Sequence, residues 1–119
     1  MNWSDYQRFR DDFAAAMDPR LYTIEYLDGL VWSGRAMFLC DDKAAIVFKL
    51  KRYPAGALVV EGVIAAGELE GVKTLIAEAE AWGRANGAAM AKIDSRSGWV
   101  RALKADGYRL HQSTLIKEL

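Results

Sequence analysis

Leu58-Val59-Val60-Glu61-Gly62-Val63-Ile64-Ala65-Ala66-Gly67-Glu68-Leu69-Glu70-Gly71 is the stretch that decides how this chain is read. Leu58–Ala66 is nearly continuous in apolar side chains apart from Glu61-Gly62, and reads as a strand. A glycine inside a strand often marks a bulge, so Gly62 beside Glu61 is where one is expected. From Gly67 the period changes. Leu69, Val72, Leu75/Ile76, Ala79 and Trp82 fall on one helical face, while Glu70, Lys73, Glu80 and Arg84 populate the rest. Gly87 is the expected stop.

Working outward, Arg35–Cys40 and Ala45–Tyr53 flank Asp41-Asp42-Lys43 and predict a hairpin. In its second strand Ile46, Phe48 and Leu50 alternate with Val47, Lys49 and Lys51, so one face is expected to be drier. Tyr53-Pro54-Ala55-Gly56 is a turn signal. Upstream, Ser4 can cap a helix carrying Tyr6, Phe9, Phe13 and Met17. Asp18-Pro19 reads as a second cap with proline at the first helical position, placing Leu21, Ile24, Leu27 and Val31 on one face. Tyr22-Thr23-Ile24-Glu25-Tyr26 equally fits a strand. Gly34 ends the element either way.

Downstream, Ala89–Asp94 predicts a short strand. Ser97 can cap a compact helix with Trp99, Val100 and Leu103, Gly107 ends it, and Tyr108 packs as the partner of the glycine cap. Tyr108–Lys117 predicts a closing strand. The order ααβββαβαβ gives an α+β, mixed α/β fold: about five strands in a mixed sheet, four helices, and one domain over residues 1–119.

Composition bounds the class. The chain has 119 residues, 52% hydrophobic and 11% aromatic, which supplies one core and excludes intrinsic disorder. Sixteen bases balance sixteen acids, which argues against a dedicated nucleic-acid binder. The charges are unevenly spread: residues 1–42 hold eight acids and four bases, residues 43–119 twelve bases and eight acids. One cysteine, Cys40, cannot form an internal disulfide, and with one histidine, His111, it cannot build a structural zinc site; no metal is expected. No basic start followed by an apolar run marks a signal peptide, and Val63-Ile64-Ala65-Ala66 is far too short to span a bilayer. A soluble, cytoplasmic protein is the expectation.

The order of elements resembles the GNAT superfamily of N-acetyltransferases. Ser97–Arg109, with its Gly107-Tyr108 pair, is similar to that family's last helix and glycine-aromatic strand entry. Trp82, Ala85, Gly87, Arg96, Gly98 and Trp99, followed by Leu103 and Gly107-Tyr108, most resemble the small GNAT-like proteins encoded by phages and prophages, which work in the host cytoplasm or the virion. The likeness covers residues 34–119 and, more loosely, the N-terminal helices.

Against that resemblance the departures weigh most. Members that bind acetyl-CoA use a Gln/Arg-x-x-Gly-x-Gly/Ala loop before the long helix, where backbone N–H groups and the helix N-terminus hold the pyrophosphate. The matching stretch, Ala65–Gly71, keeps Gly67 and Gly71 but has no basic residue and a different glycine spacing. Glu68 and Glu70 would repel a phosphate there. Many members also place a proton-donating Tyr four residues before the glycine-aromatic pair; here that residue is Leu103, the frequent Asn becomes Arg96, and the usual Ala becomes Trp99.

The resemblance leaves one catalytic candidate, Glu61, on the strand whose bulge opens the acceptor site in the family. Its alternative is an ordinary outward-facing strand residue. Tyr108 is a weaker candidate. His111 reads as a surface residue, Cys40 as a small buried hydrophobe, and Trp82 and Trp99 as core. Trp3 and Trp32 remain for an interface. Lys49, Lys51 and Arg52 cluster without an aromatic stacking platform. Two functions follow. The first is a GNAT-like protein without acetyl-CoA-dependent chemistry and with no cofactor expected, acting through a protein partner or as a homo-oligomer. The second is an N-acetyltransferase with Gly67 and Gly71 in an atypical acetyl-CoA loop and Glu61 as general base.

Overall fold

The computed structural model describes residues 2–95 and 97–119. Arg96 and the capping role assigned to the Ser97 side chain lie outside the described residues. Helices α1 (Trp3–Ala16) and α2 (Ile24–Trp32) precede strands β1 (Met37–Cys40), β2 (Ala44–Arg52) and β3 (Leu58–Gly67). Helix α3 (Leu69–Ala85), strand β4 (Met90–Ile93), helix α4 (Ser97–Leu103) and a 3-10 turn (Lys104–Asp106) follow. The sheet order is β1-β2-β3-β4, antiparallel except for the parallel β3–β4 pair. Among the described residues no helix is long and apolar enough to cross a membrane.

Two hydrophobic layers sandwich the sheet. Helices α1 and α2 bring Tyr6, Phe9, Phe13, Leu27 and Val31 onto Phe38, Ala45 and Val47. Helix α3 brings Val72, Leu75 and Ala79 onto Ala44, Ile46, Phe48 and Val60, with Trp82 and Trp99 packed alongside. The first half of β2 is therefore buried on both faces, and only from Lys49 onward does one face turn polar. The expected dry-and-wet alternation holds for that second half alone.

A register shift in β3 decides which side chain meets which layer. Phe48 pairs with Gly62 but Val47 pairs with Ile64, so Val63 is an extra residue. Because side chains alternate with period two, one extra residue reverses the faces beyond it. Val60 packs toward α3 before the bulge, and Ala65 does so after it, while Ile64 and Ala66 face α1 and α2. A strand that swaps faces midway needs apolar side chains at both parities. That is why Val63–Ala66 shows no alternation.

Four expectations are corrected. Asn2, not Ser4, caps α1, its side-chain oxygen accepting from the Ser4 N–H at 2.9 Å. Residues 21–33 are helical only from Ile24, because the Thr23 hydroxyl accepts the Tyr26 N–H; Asp18–Tyr22 closes a separate turn through the Asp18 carbonyl. Cys40 is half-buried at the end of β1. Residues 109–119 form no strand: they are exposed, and among the described residues their backbone makes no backbone hydrogen bond. The sheet thus has four strands. Gly34, Gly87 and Gly107 follow their helical elements at positive φ as expected.

Helix α2 is clamped to α1 by a polar contact at the rim of the aromatic layer. The fully buried Tyr6 donates its hydroxyl to Asp28 at 2.7 Å, and Arg10 binds the same carboxylate through Nε and a terminal nitrogen at 2.7–3.0 Å. Burial alone would raise the Asp28 pKa; the hydrogen bonds from Arg10 and Tyr6 outweigh it and hold it below the usual carboxylate value. Burial, with the Asp28 carboxylate beside it, pushes the Tyr6 phenol up. A carboxyl with a depressed folded pKa contributes stability above its unfolded value, about 3.9, and loses it as pH falls through the folded one. Thermal denaturation from about pH 7 to about pH 2 should show this loss, and Asp28→Asn should flatten that acid limb. An acid limb unchanged by the substitution would deny the contact any part in it.

Candidate functional site

Strands β3 and β4 pair only from Val59–Met90 to Gly62–Ile93. The pairing stops at the bulge, beyond which β3 continues alone on that side as far as Gly67. Gly62 allows a close approach at the last step of pairing: a Cβ there would lie 3.3 Å from the Ile93 side chain, which would have to give by a few tenths of an ångström. The extra residue itself is Val63, one beyond the expected glycine. A cavity of about 540 Å³ opens where the strands part. Glu61, Ile64 and Ala65 of β3, Ile76 and Glu80 of α3, Trp99 of α4 and Tyr108 form part of its wall, and Met17, Tyr22 and Tyr26 reach it from the α1–α2 side. Its size is within the range of small-molecule sites.

Glu61 stands in that wall between two lysines, since Lys49 is its partner on β2 and Lys92 its partner on β4. Its side chain is 14% exposed. Tyr53, at the start of the β2–β3 turn, donates its hydroxyl to Glu61 Oε1. Lys92 Nζ lies 3.7 Å from the same oxygen and 3.8 Å from Asp94, and donates to the Tyr53 hydroxyl at 3.3 Å. Lys51 and Lys92 also sit over the Tyr53 ring, at 4.8 and 5.7 Å. The hydrogen bond to Tyr53 raises the Lys92 pKa; burial opposes this, and the Asp94 and Glu61 carboxylates add to it. Glu61 is thus not an isolated outward-facing strand residue. Its carboxylate is the hub of a cross-strand polar cluster. Neither Tyr53 nor Lys92 has a short-range sequence signal; only the strand register brings them together.

Gly67 ends β3, six residues or about 20 Å of extended chain from Glu61, and Gly71 follows in the first turn of α3. Both are explained by protein packing. Gly67 has φ 101°, and a Cβ on it would fall 2.0 Å from the Lys43 carbonyl oxygen. A Cβ on Gly71 would come within 2.8 Å of the Ala44 Cβ and 3.1 Å of Asp41 Oδ2. The β1–β2 turn is therefore seated on the first turn of α3. Asp41 fixes that turn by accepting the Lys43 and Ala44 N–H groups at 2.8 Å each, and the Glu68 N–H donates to the Lys43 carbonyl at 3.2 Å. The space that backbone glycines would leave for a pyrophosphate is filled by the protein's own chain. The Asp41 carboxylate stands beside Gly71, Glu68 and Glu70 cap and open α3, and Lys43 Nζ lies 4.0 Å from Glu68. These residues do not fit the pyrophosphate of acetyl-CoA. The sequence marks Asp41 as part of the hairpin turn, but carries no local signal for the contact of that turn with Gly67 and Gly71.

The remaining candidates separate cleanly. Leu103 is buried at 2% exposure and has no proton to give. Tyr108 lines the cavity but donates its hydroxyl to Glu80, and burial, with that carboxylate beside it, pushes its phenol up. His111 is exposed in the unpaired segment. Burial pushes the Cys40 thiol up, and Arg8 Nη2 approaches its sulfur at 3.8 Å. Trp3 stacks on Tyr6 and meets Trp32 edge-on, leaving Trp32 72% exposed. Among the described residues no three His, Cys, Asp or Glu side chains converge as a metal site.

No protein-family profile and no curated protein matches the sequence. Solved structures do match the fold. An acetyltransferase of Trypanosoma brucei superposes with a TM-score of 0.74 at 13% identity, over 100% of this chain and 96% of its own. A predicted acetyltransferase of Clostridium acetobutylicum, solved with acetyl-CoA, gives 0.73 at 6% identity, over 99% and 92%. The ribosomal-protein-alanine N-acetyltransferase of Brucella melitensis gives 0.68 at 12%, over 100% and 96%. At these identities the likeness is one of fold, and the fold is the GNAT fold.

Gly67 provides a direct check on the packed loop. Gly67→Ala adds a side chain both at positive φ and against the Lys43 carbonyl, so it should cost roughly 2–4 kcal/mol in chemical denaturation. A loss under about 0.5 kcal/mol, the size of an unconstrained surface change, would mean that the turn is not seated there.

Proposed function

We propose that this is a GNAT-fold protein that works through contacts with protein and does not carry out acetyl-CoA-dependent chemistry. One observation carries the reading. The first turn of α3, where the fold would receive a pyrophosphate, has the Asp41–Ala44 turn packed against it, with the Asp41 carboxylate beside Gly71 and with Glu68 and Glu70 at the helix start itself. A helix N-terminus attracts an anion by roughly 0.3–1 kcal/mol per charge when nothing else is near. Carboxylates already there satisfy that field and oppose a second anion. The replacement of a proton donor by buried Leu103 is consistent with the same reading. So are the exposed apolar side chains of Leu21, before α2, and Trp32, at its end, since exposed apolar and aromatic side chains are what protein contacts bury. Kinship with the small phage- and prophage-encoded GNAT-like proteins belongs to this proposal, on the strength of Trp82, Ala85, Gly87, Gly98 and Trp99.

A second reading, an N-acetyltransferase with Glu61 as base, draws on the bulged β3, the cavity beside Glu61 and the acetyltransferases that share the fold. A thermal-shift titration separates the two. A ligand at a hundredfold excess over its dissociation constant adds roughly 2.7 kcal/mol to stability. Millimolar acetyl-CoA should leave the melting temperature where it is. A clear rise would overturn the contact reading, and Glu61→Gln should then cut turnover at least tenfold with cofactor affinity nearly intact.

A further inference from the structure

Beyond Gly62, strand β3 is paired on one side only. Its ladder to β2 runs on to Gly67, whereas β4 leaves it after Ile93. Among the described residues, no backbone hydrogen bond outside the β2 ladder reaches Val63–Ala66. That stretch presents about 13 Å of unladdered edge to the cleft between β3 and β4. An unpaired edge of this kind is a template for a further strand. The cavity beside it is open to both layers of the fold. Met17, Tyr22 and Tyr26 line it from the α1–α2 side, and Ile76, Glu80 and Trp99 from the α3 side. Successive side chains of a strand point to opposite faces, so a strand entering here would place alternate residues on each set. A compact apolar molecule would cover the same backbone edge without pairing it.

The charge of the wall selects the side chain. Asp18, Glu61, Glu80 and Asp94 contribute carboxylates against one lysine, Lys49. Three of the four have a cation at hand: Arg20 lies 2.9 Å from Asp18, and Glu61 and Asp94 share Lys92. Glu80 is held by the Tyr108 hydroxyl, a neutral donor, and among the described residues it joins no ion pair. Arg84, one helical turn on, does not pair with it. Trp99 and Tyr108 line the same cavity and offer aromatic surface to an aliphatic stem. We propose that the β3–β4 cleft binds an extended segment of a partner protein as an added strand on Val63–Ala66, with a lysine or arginine of that segment seated on Glu80. The segment's backbone pairs with β3, and its alternate side chains meet the two layers. The Tyr108 hydroxyl orients the carboxylate while the incoming cation supplies the missing charge.

The proposal rests on the reading of this chain as a contact protein and names the kind of partner. The probe is a random heptapeptide library displayed on yeast and selected against the full chain. Enriched sequences should carry Lys or Arg with apolar residues at alternate positions. A synthetic peptide of the most enriched sequence should shift the amide resonances of Val63–Ala66 and slow their exchange with solvent. N-methylation of alternate peptide amides should abolish binding on one parity and spare it on the other, a pattern that side-chain docking alone does not give and that needs no protein variant. Glu80→Gln keeps an acceptor for Tyr108. It should weaken the basic peptide at least tenfold and leave its norleucine counterpart unchanged, with an unaltered circular dichroism spectrum. No enrichment, shifts confined to the outer edge of β4, equal loss on both N-methyl parities, or equal affinity for the basic and norleucine peptides would each overturn the proposal. Contacts from residues 109–119 to Val63–Ala66 in the free protein would do so too, by giving the edge to the chain's own tail. A melting temperature raised by acetyl-CoA would remove the contact reading and this proposal with it; a flat acetyl-CoA titration with no peptide bound would remove the cleft alone.

Discussion

The extra residue at Val63 is the constraint on which the rest of this molecule depends. Without it, Ile64 and Ala66 would point at α3, with Val60, and the aromatic layer under α1 and α2 would lose its contacts from the far half of β3. With it, one strand serves both cores in succession. The bulge also marks the point where β4 ceases to follow β3, so the parting of the strands and the cavity between them come from the same local event. Gly62 assists by letting Ile93 approach closely at the last paired position. Packing and site are not separable here. A change that abolished the bulge would reverse side chains on both faces.

How much of this was legible in the sequence depended on the range of the interaction responsible. Helix α3 is readable from Leu69 to Trp82 because its periodicity is local and Gly87 stops it. The β1–β2 hairpin is readable from Asp41-Asp42-Lys43 for the same reason. Thr23 was passed over in favour of Asp18-Pro19, since both are good caps and only the packing of Leu27, Leu30 and Val31 selects between them. The bulge was expected one residue early: glycine propensity points to Gly62, whereas the register against β2 chooses Val63. The closing strand failed differently. Residues 109–117 have the pattern of a strand, but pattern records a preference for pairing and cannot supply the edge to pair with.

The candidate site divides along the same line. Glu61 could be singled out from its place in the strand, but Tyr53 and Lys92 could not. They are eight and thirty-one residues from it in sequence, and the cluster exists only because β3 lies between β2 and β4 in one register. Gly67 and Gly71 were legible as glycines that something must approach. What approaches is the carbonyl of Lys43 and the side chains of Ala44 and Asp41, which no local rule identifies.

That last point bears on what glycines in such a loop mean. A glycine is required wherever another group comes closer than a Cβ permits, and the sequence does not say whether that group is a ligand or the chain itself. The two cases predict opposite charge. A loop that cradles phosphate keeps its N–H groups free and its surroundings basic or neutral, whereas a loop that seats a turn can surround itself with carboxylates at no cost to binding. Here the turn is seated and the carboxylates are present, on three residues from two separate segments. The carboxylates of Glu68 and Glu70 lie in the helix field that favours them, and Asp41 secures the turn that closes the space between.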